Sequence, residues 1–184
     1  QTFCDKKKEL SQAEYFRLLE AARRNGDMRL HLAIQTICAT GIRVSELAYI
    51  TVEAARRGRA DIALKGKLRT ILLPARLCRR LLKFAGKNKI AFGAIFLTKS
   101  GRPLSRTQIW AEMKRLCAKA GVAAEKVFPH NLRHLFARTF YESCRDVVKL
   151  ADILGHSSVE TTRLYLLTTG AEHLRQLERL RLLC

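Results

Sequence analysis

At 184 residues and 48% hydrophobic side chains, the chain has enough apolar material for one domain with a real core, which excludes both a disordered polymer and two comfortable domains. Its 35 lysines and arginines stand against 16 aspartates and glutamates, a net charge of +19 whose self-repulsion is tolerated where a polyanion neutralises it. No apolar run approaches membrane-spanning length and no signal peptide is visible, so the expected setting is cytoplasmic and the expected partner is nucleic acid, with a merely solubilising basic surface as the plainer alternative.

Ser11-Gln12-Ala13-Glu14 has capping-box spacing, and Tyr15, Phe16, Leu18, Leu19 and Ala22 then recur with helical periodicity. Asn25-Gly26-Asp27 ends that helix and starts a second, whose apolar face is Leu30, Ala33, Ile34 and Ile37. Thr40-Gly41 breaks it, and Val44, Leu47 and Ala48 open a short third helix. After Arg57-Gly58 the pattern changes: residues 60–64 and 68–73 are short apolar runs around Lys65-Gly66-Lys67, which predicts a β-hairpin with a basic turn. Pro74 closes the hairpin and suits the first turn of a helix through Leu77, Leu81, Leu82 and Phe84. Residues 93–97 are expected to form one more strand, and Ser100-Gly101-Arg102-Pro103 a turn. From Ser105 the pattern is helical, with interruptions at Gly121, Pro129, Gly155 and Gly170. The expected fold class is mainly α with a small antiparallel β-sheet (α+β), as a single domain over 1–184. Residues 1–10 form its lead-in and 171–184 a helical tail with Leu174, Leu177, Leu180 and Leu183 at intervals of three.

The six cysteines, Cys4, Cys38, Cys78, Cys117, Cys144 and Cys184, form no C-x-x-C pair and have no histidine at zinc-ligand spacing. They read as reduced thiols of an intracellular protein, mostly among apolar neighbours. No D-x-D-like acidic grouping offers a site for Mg²⁺, so no metal and no cofactor is expected.

Chemistry concentrates in three places. His130 and Arg133 follow Pro129 three residues apart, so on one helical face imidazole and guanidinium can reach a common target, although an isolated H-x-x-R is more often structural. Gly155 ends a helix and frees His156 to point away, Ser157-Ser158 can cap the next helix, and Tyr165 follows beyond that break. In Thr40-Gly41-Ile42-Arg43-Val44-Ser45-Glu46-Leu47, an arginine directly after a glycine turn can aim its fork at a phosphate, with Glu46 one turn on to hold it. The plain reading of that pair is a surface Arg–Glu contact worth a few tenths of a kcal/mol.

Together, the Thr40 to Leu47 segment, the Lys65 hairpin, His130-x-x-Arg133, Leu154-Gly155-His156 and Tyr165 resemble, in order and spacing, the tyrosine recombinase (phage integrase) catalytic domain. The resemblance spans nearly the whole chain. Pro129-His130-Asn131-Leu132-Arg133-His134 and residues 154–162 look most like integrases of bacterial conjugative transposons, which would place the protein in the bacterial cytoplasm near the nucleoid. The resemblance implies that Tyr165 attacks a scissile phosphate to give a 3′-phosphotyrosine, that Arg43 and Arg133 clamp the non-bridging oxygens, and that His130 is the general base. It further implies that His156 hydrogen-bonds the phosphate and that Lys65 protonates the leaving 5′ oxygen. Residue patterns alone leave Lys65 and Lys67 open as the lysine, because alternate strand residues share a face; the family's Gly-x-basic turn favours Lys65.

Arg56, Arg57, Arg59, Lys67, Arg69, Arg102 and Arg106 are further candidates for DNA backbone contacts, as are Arg79, Arg80 and Lys114, with Thr107 and Gln108 placed to reach base edges. The implied partner is double-stranded DNA at element ends and target, bound by a dimer to tetramer. The tail packs either on its own domain or on a neighbouring protomer. An N-terminal core-binding domain, usual in the family, has no counterpart in these residues. The alternatives are a chromosome-dimer resolvase or a type IB topoisomerase-like enzyme with the same chemistry, and a catalytically silent DNA-binding module.

Overall fold

The computed structural model describes residues 9–64, 67–156 and Thr162. Helix α1 (Gln12–Arg24) opens on the expected capping box: the Ser11 hydroxyl accepts the Glu14 N–H at 3.1 Å, and the Glu14 carboxylate accepts the Ser11 N–H at 2.8 Å. Tyr15, Leu18, Leu19 and Ala22 are buried as expected, but Phe16 is 56% exposed, so the buried stripe is narrower than the apolar pattern. Helix α2 (Met28–Thr40) starts where the Asp27 carboxylate accepts the Leu30 N–H and ends at Gly41 in the left-handed conformation, φ +67°. A Cβ at Gly41 would meet the ring of Phe136, so glycine is required both for backbone and for space.

The expected third helix divides into two pieces. Val44–Tyr49 is a 3₁₀ turn, tightened because the Glu46 carboxylate reaches back to the Arg43 N–H, and α3 (Val52–Arg57) follows with Thr51 as its cap. Strands β1 (Arg59–Leu64) and β2 (Lys67–Leu72) pair antiparallel from Arg59↔Leu72 to Leu64↔Lys67. Lys65 and Gly66 join them and lie outside the described residues. Ala60, Ile62 and Ile71 point into the core while Leu68 and Leu72 are exposed, the period-two alternation of a sheet with one buried face.

Helix α4 (Ala75–Lys87) runs from its Pro74 cap and buries Leu77, Cys78, Leu81 and Ala85. Residues 93–97 do not form the expected strand. They make one bridge at each end, Thr51↔Ala94 and Leu97↔Pro103, so no ladder builds on either side; Pro103 also has no N–H to extend the second. Ile95 and Phe96 are nevertheless buried. Helix α5 (Arg106–Ala120) opens on a second capping box, Ser105 with Gln108. Helix α6 (Pro129–Cys144) carries proline at its first position, and α7 (Val147–Leu154) ends at Gly155, φ +64°.

α2 runs through the core, packed by α1, α4, α5 and α6. Most buried side chains form one cluster, while Ala137, Leu150 and Leu154 form a separate small one that seats α7 on α6. Cys78 and Cys117 are buried and Cys38 is half-buried, as a core thiol should be; Cys144, at the end of α6, is exposed instead. Cys4 and Cys184 lie outside the described residues. Among the described residues, no helix is long and apolar enough to cross a membrane.

Candidate active site

Three breaks in the backbone meet at one place: the Gly41 turn after α2, the Pro129 start of α6, and the Gly155 end of α7. Arg133 joins them. It lies on the inward face of α6 and is 2% exposed, an unusual depth for a guanidinium, since burying an unpaired charge costs several kcal/mol. Its planar fork donates to the Gly41 carbonyl, to the Leu154 carbonyl at 2.6 Å, and to His156 Nε2 at 3.1 Å.

Arginine has no acceptor, so Nε2 of His156 must be the accepting nitrogen and Nδ1 carries the ring proton. Nδ1 lies 2.8 Å from the Thr162 hydroxyl, which accepts that proton. Burial, then the charges of Arg133, Arg43, Arg69 and His130, push the His156 pKa down to about 4, which keeps the ring neutral. Both ring nitrogens are thereby engaged within the protein, so direct contact with a phosphate requires one of these bonds to be exchanged.

Arg43 follows the Gly41 turn on extended backbone. Its N–H donates to Glu46 Oε2 at 2.7 Å and its Nη1 to Glu46 Oε1 at 3.0 Å. The Glu46 carboxylate is 2% exposed while the Arg43 side chain is 45% exposed. A buried anion thus holds a guanidinium that is itself partly exposed, an arrangement the surface-pair reading does not describe.

His130 sits one turn before Arg133. Burial, followed by the charges of Arg133, Arg106 and Arg43, lowers its pKa from the usual 6.5, favouring the neutral ring that a proton acceptor needs. Its ring meets that of His134 edge-on, with centroids 4.7 Å apart. Arg43, Ser45, Arg106, Trp110, His130 and Arg133 line one cleft of about 560 Å³. Such a cleft, walled by three guanidiniums and a neutral imidazole, is chemically suited to an anion with a proton to lose nearby.

Of the other expected residues, Lys65 and Tyr165 lie outside the described residues, and so does the 171–184 tail; of Lys67 only the backbone is described. Arg56, Arg57, Arg59 and Arg102 are exposed but do not line this cleft. Arg69, expected as a backbone contact, is turned inward, its side chain 15% exposed and paired with Glu46 at 2.8 Å. Gln108 spends its side-chain carbonyl on the Ser105 N–H rather than holding it free for a base edge, and Thr107 beside it is exposed. Lys114 packs over the Trp110 ring and donates to the Ala124 carbonyl.

Two further residues, given no role by the sequence reading, stand at or beside the cleft: Trp110 lines it and His134 meets the His130 ring. Trp110, 46% exposed, stands one turn after Arg106 on α5, a spacing that was legible as i, i+4. His134 stands one turn after His130, and burial with the charges of His130, Arg138 and Arg133 brings its pKa down to about 4. Unfolding restores an ordinary histidine near 6.5, so between pH 6.5 and about 4 the unfolded chain binds a proton that the native one refuses. The contribution of His134 is therefore complete above pH 6.5 and lost as the pH falls through that window. On going from pH 7 to pH 4.5 the wild type should lose about 2 kcal/mol more stability than His134→Gln, read from urea midpoints at both pH values. Equal losses in the two proteins would show that His134 titrates normally in the fold.

Compared with known proteins, residues 8–171 match the model of the phage integrase family. The chain is 35% identical over 150 residues to tyrosine recombinase XerD of Brucella suis, covering 75% of this chain and 48% of that protein. It is 31% identical over 184 residues to tyrosine recombinase XerA of Pyrococcus furiosus, covering 96% of this chain and 63% of that protein. Among solved structures, a crystal structure of XerA recombinase superposes with a TM-score of 0.76 at 27% identity, over 94% of this chain and 63% of that one. The Tn1549 transposon integrase in complex with transposon right end DNA reaches the same TM-score at 18% identity, over 96% of this chain and 67% of that one, a likeness of fold alone. The chain spans about half the length of curated relatives such as XerD.

Proposed function

The chain belongs to the phage integrase family and has the tyrosine recombinase catalytic-domain fold, and we propose that it is the strand-transfer centre of a site-specific DNA recombinase. The observation that carries this reading is the convergence of Arg43, His130 and Arg133 on one cleft, with His156 hydrogen-bonded to Arg133. A scissile phosphate in that cleft meets two guanidiniums held by the protein rather than by solvent, which favours the extra negative charge of a pentacoordinate transition state. The Tyr165 hydroxyl loses its proton to neutral His130 and attacks phosphorus. The P–O5′ bond breaks, Lys65 protonates the leaving oxygen, and a 3′-phosphotyrosine with a free 5′ hydroxyl results. Because the covalent link conserves the phosphodiester energy, the 5′ hydroxyl of a new strand can reverse the step without ATP.

The substrate is double-stranded DNA, and the protein works as a dimer to tetramer on it through the 171–184 tail. Its biological task is integration or excision of a mobile element, supported by the sequence of residues 129–134 and 154–162, and it acts in the cytoplasm at the nucleoid. Identity of 35% to XerD supports the same chemistry.

The test is a nicked duplex carrying the candidate site, incubated with the protein in EDTA and resolved on a denaturing gel. A slow, protease-sensitive DNA band is expected, and Tyr165→Phe should abolish it while leaving DNA affinity intact. DNA binding with no band from the intact protein would instead identify a silent binding module.

A further inference from the structure

We infer that Arg69 is a positioning residue of this centre: from β2 it holds the two groups that orient the cleft arginines, the Glu46 carboxylate beside Arg43 and the Leu154 carbonyl beside Arg133. The inference rests on the strand-transfer reading above and adds to it a residue that acts through its neighbours rather than on the phosphate.

Arg69 stands opposite Ile62 in the hairpin, on the same sheet face as Ile62 and Ile71, both buried. Period-two alternation therefore aims a long cation into the core, where its charge is costly unless answered. Burial lowers its pKa from the usual arginine value, and the Glu46 charge works against that shift. Its Nη2 donates to Glu46 Oε2 at 2.8 Å, and its Nη1 donates to the Leu154 carbonyl. Nε is buried with no hydrogen-bond partner among the described residues, so the guanidinium is placed by those two contacts rather than by a parallel fork on one carboxylate.

Each contact is shared with a residue of the cleft. Glu46 accepts from Arg43 with Oε1 and from Arg69 with Oε2. The Leu154 carbonyl accepts from both Arg133 and Arg69. Gly155 makes this possible, because a Cβ there would collide with the Arg69 side chain. An ordinary structural ion pair would touch one of these holders. Arg69 touches both, and its charge against Glu46 leaves more of the Arg43 charge for a phosphate. Losing it should draw Arg43 toward Glu46 and loosen the Leu154 carbonyl under Arg133. A misplacement of that kind in a preorganised site costs about 10²-fold in rate.

The experiment compares Arg69→Met, Arg69→Lys and the wild type, as intact proteins, on two nicked duplexes: one with an ordinary scissile phosphodiester, the other with an uncharged methylphosphonate there. DNA affinity is followed by fluorescence anisotropy. If Arg69 acts through the arginine clamp, Arg69→Met binds DNA as the wild type does and cleaves the phosphodiester about 10²-fold more slowly. It should then cleave the methylphosphonate at nearly the wild-type rate, because the phosphorane formed there carries one negative charge fewer and depends correspondingly less on the clamp. Arg69→Lys, which keeps a charge on Glu46, falls between. Unchanged phosphodiester cleavage, or equal slowing on both duplexes, overturns the inference. If Arg69→Met does not fold, Arg69→Lys takes its place on the same two duplexes, and the same two results overturn the inference. A wild type that forms no adduct on either duplex overturns the strand-transfer reading itself, and the role of Arg69 falls with it.

Discussion

Arg133→Lys should slow covalent-complex formation by about 10³-fold, the loss typical of removing fixed donors from a developing oxyanion. Lysine keeps the charge but offers it as a point on a flexible stem, without the planar fork. The three groups that accept from Arg133, two main-chain carbonyls and the His156 ring, come from two segments, the Gly41 turn and the end of α7, and a single ammonium cannot span them and still face the cleft. His156 then loses the donor that holds its Nε2, so the defect spreads to a second member of the centre. Single-turnover cleavage of the nicked duplex reads the rate, and anisotropy should show DNA affinity changed by less than about threefold, since on the proposed reading the exposed cations elsewhere supply most of the binding. A rate within a few-fold of wild type would remove Arg133 from the clamp.

Gly41→Ala should strongly destabilise the domain. The left-handed φ of +67° costs an L-residue about 1 kcal/mol, and overpacking against the Phe136 ring adds about 2 kcal/mol. The total of about 3 kcal/mol corresponds to a fall in melting temperature of about 10 °C for a chain of this size. Adding Phe136→Leu should recover the packing part and leave the backbone part, so the double mutant should be more stable than Gly41→Ala alone. Thermal melts of the four proteins check this. If Phe136→Leu and Gly41→Ala simply add, the ring is not what the new methyl meets.

The parts of this molecule legible from sequence are those whose partners lie within one turn. The Ser11–Glu14 box, the Arg43–Glu46 pair and the His130–Arg133 face are all i, i+3 relations, and the hairpin announces itself by alternation around Lys65-Gly66. The Ser105–Gln108 spacing is the same local signal, and in the fold it sets the Gln108 carbonyl on the Ser105 N–H. Arg69 is the opposite case. Its partners are Glu46 and Leu154, far away along the chain in both directions, and a basic residue in a basic protein gives no local hint of turning inward. Residues 93–97 fail for a related reason: their apolar side chains are buried as a strand's would be, but each end finds a different neighbour, which only tertiary packing decides. The depth of Arg133 is likewise invisible on its helix, since Gly41 and Leu154 supply carbonyl oxygens that every residue type carries.

That use of carbonyl oxygens shapes how such a centre tolerates sequence drift. A side chain recruited to orient a catalytic cation must be kept or replaced in kind, whereas a peptide oxygen survives any substitution that leaves the chain's path intact. The identity of residue 154 matters to Arg133 only through where its carbonyl points. Mutational sensitivity is therefore displaced from the orienting residues to those that shape the path, Gly41 and Gly155, both left-handed and both pressed by a neighbouring side chain. The part of the centre written in backbone can persist while the letters around it change.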